Sequence, residues 1–210
     1  MTPLALPLLV LAAGKSSRMR GRDKLLEEVS PGTALLTDRV QTALGTGQPV
    51  LVALPPRALA EERWVLIDEE PVAAVEVLRC EDGMAHSIVA GIEALPQGAV
   101  GVAILLADMP DISTQDLRHM LAEFDGDRIL RGTTADGRMG HPVIFPARDF
   151  PALRSLEGDD GAREILVRNK DRIRPVALPH GRARVDLDTP EDWAAWRSAK
   201  HQEPQPRPRS

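Results

Sequence analysis

Cysteine is almost missing from this chain: Cys80 is the only one in 210 residues. No internal disulfide can form, and no Cys/His spacing suited to zinc occurs. Cys80 itself reads as a packing residue at a strand end rather than a nucleophile. No apolar run is long enough to span a bilayer. Positive charge does not dominate either, with a formal net charge of −5, which excludes a surface built to coat nucleic acid. Basic residues follow the first apolar run and none precedes it, the reverse of a secretory signal. A cytoplasmic protein without a membrane partner is therefore expected. Three catalytic signatures are also absent. A Walker A loop needs glycine five residues before Gly14, where Leu9 stands. No Gly-x-Gly-x-x-Gly follows the first run, against a dinucleotide dehydrogenase. No Gly-x-Ser-x-Gly elbow occurs, against hydrolysis through a serine nucleophile.

What is present starts at the N-terminus. An apolar run over residues 4–11 ends in Leu11-Ala12-Ala13-Gly14, then Lys15-Ser16-Ser17-Arg18-Met19, with Lys24-Leu25-Leu26 just beyond. A buried parallel strand delivers a phosphate-binding loop to a sheet edge in this way. Small residues let backbone N–H groups approach an anion, and Lys15, Arg18 and Lys24 can neutralise its charge. The segment points to a nucleoside triphosphate. Gly14, Ser16 and Ser17 alone leave open a plain strand-to-turn with an exposed basic loop.

Alternating elements follow. Leu36, Val40, Ala43 and Leu44 recur at helical spacing, with Gly45 and Gly47 to stop the helix. Residues 50–54 and 72–78 predict strands, and Ile88, Ile92 and Leu95 mark the inner face of a helix from near Met84. The unbroken apolar run over 99–106 predicts the central strand. Leu117, Met120, Leu121 and Phe124 stripe the next helix, capped by Ser113 with Asp116. This alternation calls for an open parallel α/β sheet. Further strands are predicted over 128–131, 141–145, 173–178 and 183–187. Thr189-Pro190-Glu191-Asp192 then reads as N-cap, proline at the first helical position and acids in the first turn. Trp193 and Trp196 fall on one face of that helix, suited to core packing. One domain is expected over residues 1–199, with a disordered, proline-bearing tail over 200–210.

Ligands of such sheets bind beyond the carboxyl ends of the strands. Ala107-Asp108-Met109-Pro110 ends the long central run there. An acid after a fully apolar strand needs a partner. Magnesium is one, since it takes a carboxylate with phosphate oxygens and water; a turn residue before Pro110 is an equal alternative. Val185-Asp186-Leu187-Asp188 places two more acids where a predicted strand meets a helix, on one face of it. A metal role suits Asp188 better than Asp186, while Thr189 suits capping. Gly83-Met84-Ala85-His86-Ser87 opens a helix whose N–H groups and Ser87 hydroxyl can meet a polar ligand, or is an ordinary helix start. Gly140-His141-Pro142 leads into a strand, and Gly158-Asp159-Asp160-Gly161-Ala162-Arg163 is a tight turn into a helix. His141 is the functional histidine candidate. His119 sits on a polar helix face, and His180 and His201 lie in loop and tail.

Together these motifs resemble the molybdenum cofactor cytidylyltransferase family, within the molybdenum-cofactor-type nucleotidyltransferases of the NTP-transferase superfamily. The likeness runs in the family's order through Leu11 to Gly14, Ser17-Arg18-Met19, Lys24-Leu25-Leu26, Gly83 with Ser87, Gly91-Ile92, Ala107 to Pro110, Gly140-His141-Pro142, Gly158-Asp159 with Gly161-Ala162-Arg163, and Asp186 to Asp192. It implies a three-layer α/β/α Rossmann-like nucleotidyltransferase fold with a mostly parallel mixed sheet. It also implies Mg2+-dependent transfer of CMP from CTP to the terminal phosphate of molybdopterin, with release of pyrophosphate and a possible molybdoenzyme client. By the resemblance, Leu11, Ala12, Ala13 and Gly14 hold the nucleotide through backbone contacts, Arg18 and Lys24 hold its phosphates, and Gly83 and Ser87 border the base. Asp108 binds magnesium with Asp188, and Gly140, His141 and Pro142 lie on the acceptor side. The catalytic set is Arg18, Lys24 and Asp108. The chain departs from the family at Arg20, where relatives carry the glycine found here at Gly21, and at Ala34, where they carry proline. Ala13 stands where guanylyl-transferring relatives tend to carry glycine. Guanylyl transfer, another phosphorylated or sugar acceptor, and a non-catalytic molybdopterin carrier are the alternatives.

Overall fold

The computed structural model describes residues 5–159 and 161–202. In chain order the elements are β1 (Leu8–Leu11), β2 (Glu28–Ser30), β3 (Thr33–Ala34), α1 (Leu35–Leu44), β4 (Val50–Leu54), α2 (Glu61–Val65), β5 (Ala73–Glu76), α3 (Met84–Glu93) and β6 (Gly101–Leu106). They continue with α4 (Thr114–Ala122), β7 (Ile129–Thr133), β8 (Met139–Pro146), α5 (Phe150–Arg154), α6 (Arg163–Arg168), β9 (Ile173–Ala177) and α7 (Pro190–Gln202). Seven strands form one sheet in the order β5-β4-β1-β6-β8-β7-β9, and β2 pairs with β3 in a small hairpin. Only β8 runs against its neighbours in that sheet. The sheet is thus mixed and mostly parallel, as the resemblance implies.

Two cores follow from strand periodicity. Leu8 and Val10 of β1 enter one, with Val40 of α1, Leu117 and Met120 of α4 and Trp193 of α7. Leu9 and Leu11 enter the other, with Ile88 and Ile92 of α3, Leu153 of α5 and Ile165 of α6. Successive side chains leave a strand on opposite faces, so β1 and β6, apolar throughout, are read as central and are found there. Helices on both faces make three layers. Gly91 allows one close approach, since a methyl group there would collide with the Leu9 side chain.

Both expected helix caps are formed. Ser113 and Asp116 make a reciprocal capping box at α4. Thr189 Oγ1 accepts from the Asp192 N–H at 3.1 Å, while Asp192 Oδ2 accepts from the Thr189 N–H at 2.8 Å.

Two expectations are corrected. Residues 183–187 are not a strand: a tight helical turn, Pro179–Arg184, with His180 and Gly181 at positive φ, gives way to irregular chain. The reason is tertiary. Leu187 N–H donates to the Asp108 carbonyl at 3.0 Å, so the segment crosses the end of β6 instead of pairing along the sheet, and Ala183 and Leu187 fill the core beneath it. The helix α7 also continues through Lys200 to Gln202, so the expected tail does not begin at 200; residues 203–210 lie outside the described part, as do Leu4 and Asp160.

Candidate active site

The first strand ends without releasing its loop at once. Ala12 N–H still donates to the Ala53 carbonyl, and Ala107 N–H to that of Leu11, so Ala12 and Ala13 stay buried at the sheet edge. Beyond Gly14 the chain turns sharply. Ser16 and Arg20 both adopt left-handed backbone, and the fully buried Met19 between them pins the turn to the core. Ser16 Oγ accepts from Lys24 N–H at 3.2 Å and donates to Asp23 Oδ1 at 3.0 Å. Asp23 in turn accepts from Leu25 N–H at 3.0 Å. The loop therefore closes on itself and aims Lys24 back across the end of β6.

There the Lys24 ammonium donates to Asp108 Oδ2 at 2.6 Å and to Asp188 Oδ1 at 2.7 Å. Arg18, exposed at the rim, pairs with the other Asp188 oxygen at 2.8 Å. Burial opposes the charge on Lys24, yet the two carboxylates hold its pKa above the ordinary lysine range. Burial, followed by the charges of Asp188 and Asp108, raises the Asp186 carboxyl. The second oxygen of Asp108, Oδ1, is buried with no hydrogen-bond partner. A buried carboxylate oxygen normally has one, so Asp108 has a coordination position to fill.

A cavity of about 330 Å³ opens beside this cluster. Its walls bring together Leu11, Ala12, Ala13, Gly14, Lys24, Gly83, Ser87 and Asp108 from four separate stretches of chain. Gly83, at φ 114°, turns the chain into α3 directly against residue 158, where a methyl group would strike the Gly158 carbonyl. Lys15 also lines the cavity but pairs with Glu81 at 3.0 Å. Cys80 lies in a tight turn after β5, packs against the second core as expected, and also lines the same cavity. Arg18 stands outside the lining and reaches the cluster only through Asp188.

Gly140 and His141 line a smaller cavity of about 230 Å³ with Arg131, Arg184 and Asp186. Pro142, joined to His141 by a cis peptide, is buried within β8. Asp186 and Asp188 part company, because the chain between them is not a strand: Asp188 joins Lys24, whereas Asp186 faces the smaller cavity.

Residues 8–173 match the MobA-like NTP transferase domain family. The chain belongs to this family. A curated relative is the purine catabolism protein PucB of Bacillus subtilis, 29% identical over 200 residues, which span 90% of this chain and 94% of PucB. Another is the bifunctional protein GlmU of Xanthobacter autotrophicus, 35% identical over 174 residues that span 80% of this chain and 38% of GlmU. Among solved structures, Rv0371c of Mycobacterium tuberculosis superposes with a TM-score of 0.80 at 26% identity, over 93% of this chain and 98% of that one. Rv0371c has also been solved as a complex with manganese. The match places the nucleotidyltransferase fold, and a transferase acting on nucleoside triphosphates, on firm ground for this member of the family.

Sequence reasoning missed the residues that brace the site. Arg63 of α2 is buried, donates to the Ala12 carbonyl at 2.6 Å, and holds Asp23 at 2.6 and 2.8 Å. Burial would raise the Asp23 carboxyl, but Arg63 outweighs it and holds the pKa below the ordinary value. Arg39 of α1, also buried, donates to the carbonyls of Met109 and Ile112 at 2.9 and 2.5 Å and so braces the loop that follows Asp108. The loop groups they brace lie 40 to 73 positions away in sequence, so no local pattern marks that role.

His141 shows a testable electrostatic effect. Burial, then the neighbouring Arg131, push its pKa from 6.5 down to about 4 against the pull of Asp108. The unfolded chain thus takes up a proton that the folded protein refuses between these values. The stability involved is fully present above pH 6.5 and is lost as pH falls toward 4. By linkage the loss reaches about 2.5 kcal/mol near pH ~4.5. Denaturant titrations across this range are expected to show His141→Gln losing that much less stability than wild type in acid. Identical acid slopes would contradict the assignment.

Proposed function

We propose that the protein transfers CMP from CTP to the terminal phosphate of molybdopterin, with magnesium, and releases pyrophosphate. One observation carries the reading: Lys24 sits between Asp108 and Asp188 at the mouth of a cavity walled by Ala12, Ala13, Gly14, Gly83 and Ser87. Family membership supports the reaction class, and the residues support the rest. In the reaction an oxygen of the acceptor phosphate attacks the α-phosphorus of CTP. The bond from that phosphorus to the bridging oxygen breaks, and pyrophosphate carries away the electron pair. The acceptor is already an anion, so no general base is required. The protein's work is alignment and charge neutralisation.

The backbone of residues 12–14 cradles the nucleotide, Lys24 and Arg18 offset phosphate charge, and Gly83 and Ser87 border the base. Asp108 and Asp188 offer hard oxygen donors, and the unpartnered Asp108 Oδ1 suits a divalent ion. That Rv0371c has been solved as a complex with manganese supports a divalent ion in this reading. Bound there, magnesium would offset the charge of the triphosphate and of the developing pyrophosphate. His141 keeps a neutral ring on the acceptor side, fit to hydrogen-bond and not to add charge. The Ala13 methyl, at the buried edge of the cavity, narrows the space for a base and favours a pyrimidine.

The test is pyrophosphate release by purified protein given molybdopterin, magnesium and each nucleoside triphosphate in turn. Release with CTP is expected. Release with GTP alone would overturn the cytidylyl assignment, and no release with any nucleotide would favour a molybdopterin carrier.

A further inference from the structure

Among the described residues, this chain pairs its buried and half-buried guanidinium groups with carboxylates. Arg63 has Asp23, Arg39 has Asp38, and Arg172 has Asp149. Arg131, in β7, is the exception. It is partly buried, its Nε donates to the Gly140 carbonyl at 3.1 Å, and among the described residues no carboxylate pairs with it. Arg184 stands nearby with its Nη1 on the Met139 carbonyl at 2.9 Å, again with no carboxylate partner among the described residues. Burial and the charge of Arg184, which stands at the exposed rim, both lower the Arg131 pKa. Asp186 lines the same small cavity without bonding to either, its own ionisation hindered by burial and by Asp188 and Asp108. Each guanidinium spends one donor on a backbone carbonyl and keeps the rest of its planar fork free of a carboxylate among the described residues.

Arg131 also stands on a boundary. It lines the cavity of about 230 Å³ beside Asp186 and a larger one of about 570 Å³ behind it. The larger cavity is walled largely by apolar side chains, among them Ile88, Ile104, Val143, Phe145 and Leu166, with Arg163 and Lys170 also in its lining. It meets the nucleotide cavity at Leu11 and Met84, and the smaller one meets it at Leu106. An anion held at Arg131 would thus lie between Asp108 and an apolar chamber.

We propose that Arg131, with Arg184 beside it, is the anion anchor on the acceptor side. It grips the phosphate of a phosphomonoester whose apolar body enters the chamber lined by Val143 and Phe145. The role in turnover rests on the nucleotidyl-transfer reading, but the binding site itself does not. The two are tested apart.

The binding arm titrates 4-methylumbelliferyl phosphate, a planar aryl phosphomonoester, into the full chain without nucleotide, by calorimetry. Wild type is expected to bind it. Arg131→Gln is expected to weaken binding by about tenfold or more, the scale of a lost charge-assisted pair, and Arg184→Gln by a few-fold. CTP affinity should be the same in all three proteins, and saturating CTP should leave the probe bound. No binding by wild type, equal binding by Arg131→Gln, or displacement of the probe by CTP would each overturn the anchor. Thermal unfolding of both variants monitors folding, and Arg184→Gln carries the test should Arg131→Gln misfold. In the turnover arm, Arg131→Gln should raise the acceptor KM and leave the CTP KM unchanged. Intact binding with no turnover by any protein would refute the transfer reading while leaving the anchor standing.

Discussion

Asp108→Ala is expected to lower nucleotidyl transfer by at least about a thousandfold while the protein melts within a few degrees of wild type. The size follows from losing a group that holds transition-state charge, for which single deletions lose about 10²–10³, together with a metal ligand. The fold should survive because Lys24 keeps Asp188 at 2.7 Å, so removing Asp108 leaves no uncompensated buried ammonium. The variant also deletes a buried oxygen that has no partner, which offsets part of the lost ion pair. Steady-state pyrophosphate release with CTP, alongside thermal unfolding, checks both halves. Turnover within tenfold of wild type would remove Asp108 from the catalytic set.

The largest effect on stability is expected at Arg63. Arg63→Met leaves the half-buried Asp23 without its guanidinium and frees the Ala12 carbonyl, so folding should weaken by about 3 kcal/mol, the low end for a broken buried pair. In a domain of this size that is a fall in Tm on the order of 10 °C. Because the same guanidinium ties the ends of the nucleotide loop, at Ala12 and Asp23, the CTP KM should rise as well. Pairing the change with Asp23→Asn should recover part of the loss, since the double variant buries no unpaired charge. A loss under about 1 kcal/mol, or a double variant no better than the single, would show the clamp to be dispensable.

The frame was legible where the physics is local. Unbroken apolar runs at 50–54 and 99–106 announce strands buried on both faces, and β4 and β6 lie there. Ser113 with Asp116, and Thr189 with Asp192, announce helix starts that the hydrogen bonds bear out. The residues that meet around the nucleotide cavity were also legible, because each small-residue or acidic motif ends a strand or opens a helix at one edge of the sheet. Failures came where tertiary contacts override local pattern. The alternation around Asp186 imitates a strand, but the Leu187 bond to the Asp108 carbonyl pulls the segment across the sheet end. Arg63, Arg39 and Arg131 sit among many surface arginines, and nothing in their neighbours shows that the first two are buried and the third half-buried. For Arg63 and Arg39 the distance to the loop groups they brace hid the role; for Arg131 it was the lack of a partner.

The central claim is that CTP and a divalent ion meet at Lys24, Asp108 and Asp188. Crystals grown with CTP and manganese, measured at an energy where manganese scatters anomalously, test it most directly. The account predicts an anomalous peak at Asp108 Oδ1 and Asp188, with the triphosphate on the backbone of residues 12–14 and the base between Ala13 and Ser87. A peak elsewhere, or CTP bound in another cavity with Lys24 still closed on both carboxylates, would contradict it.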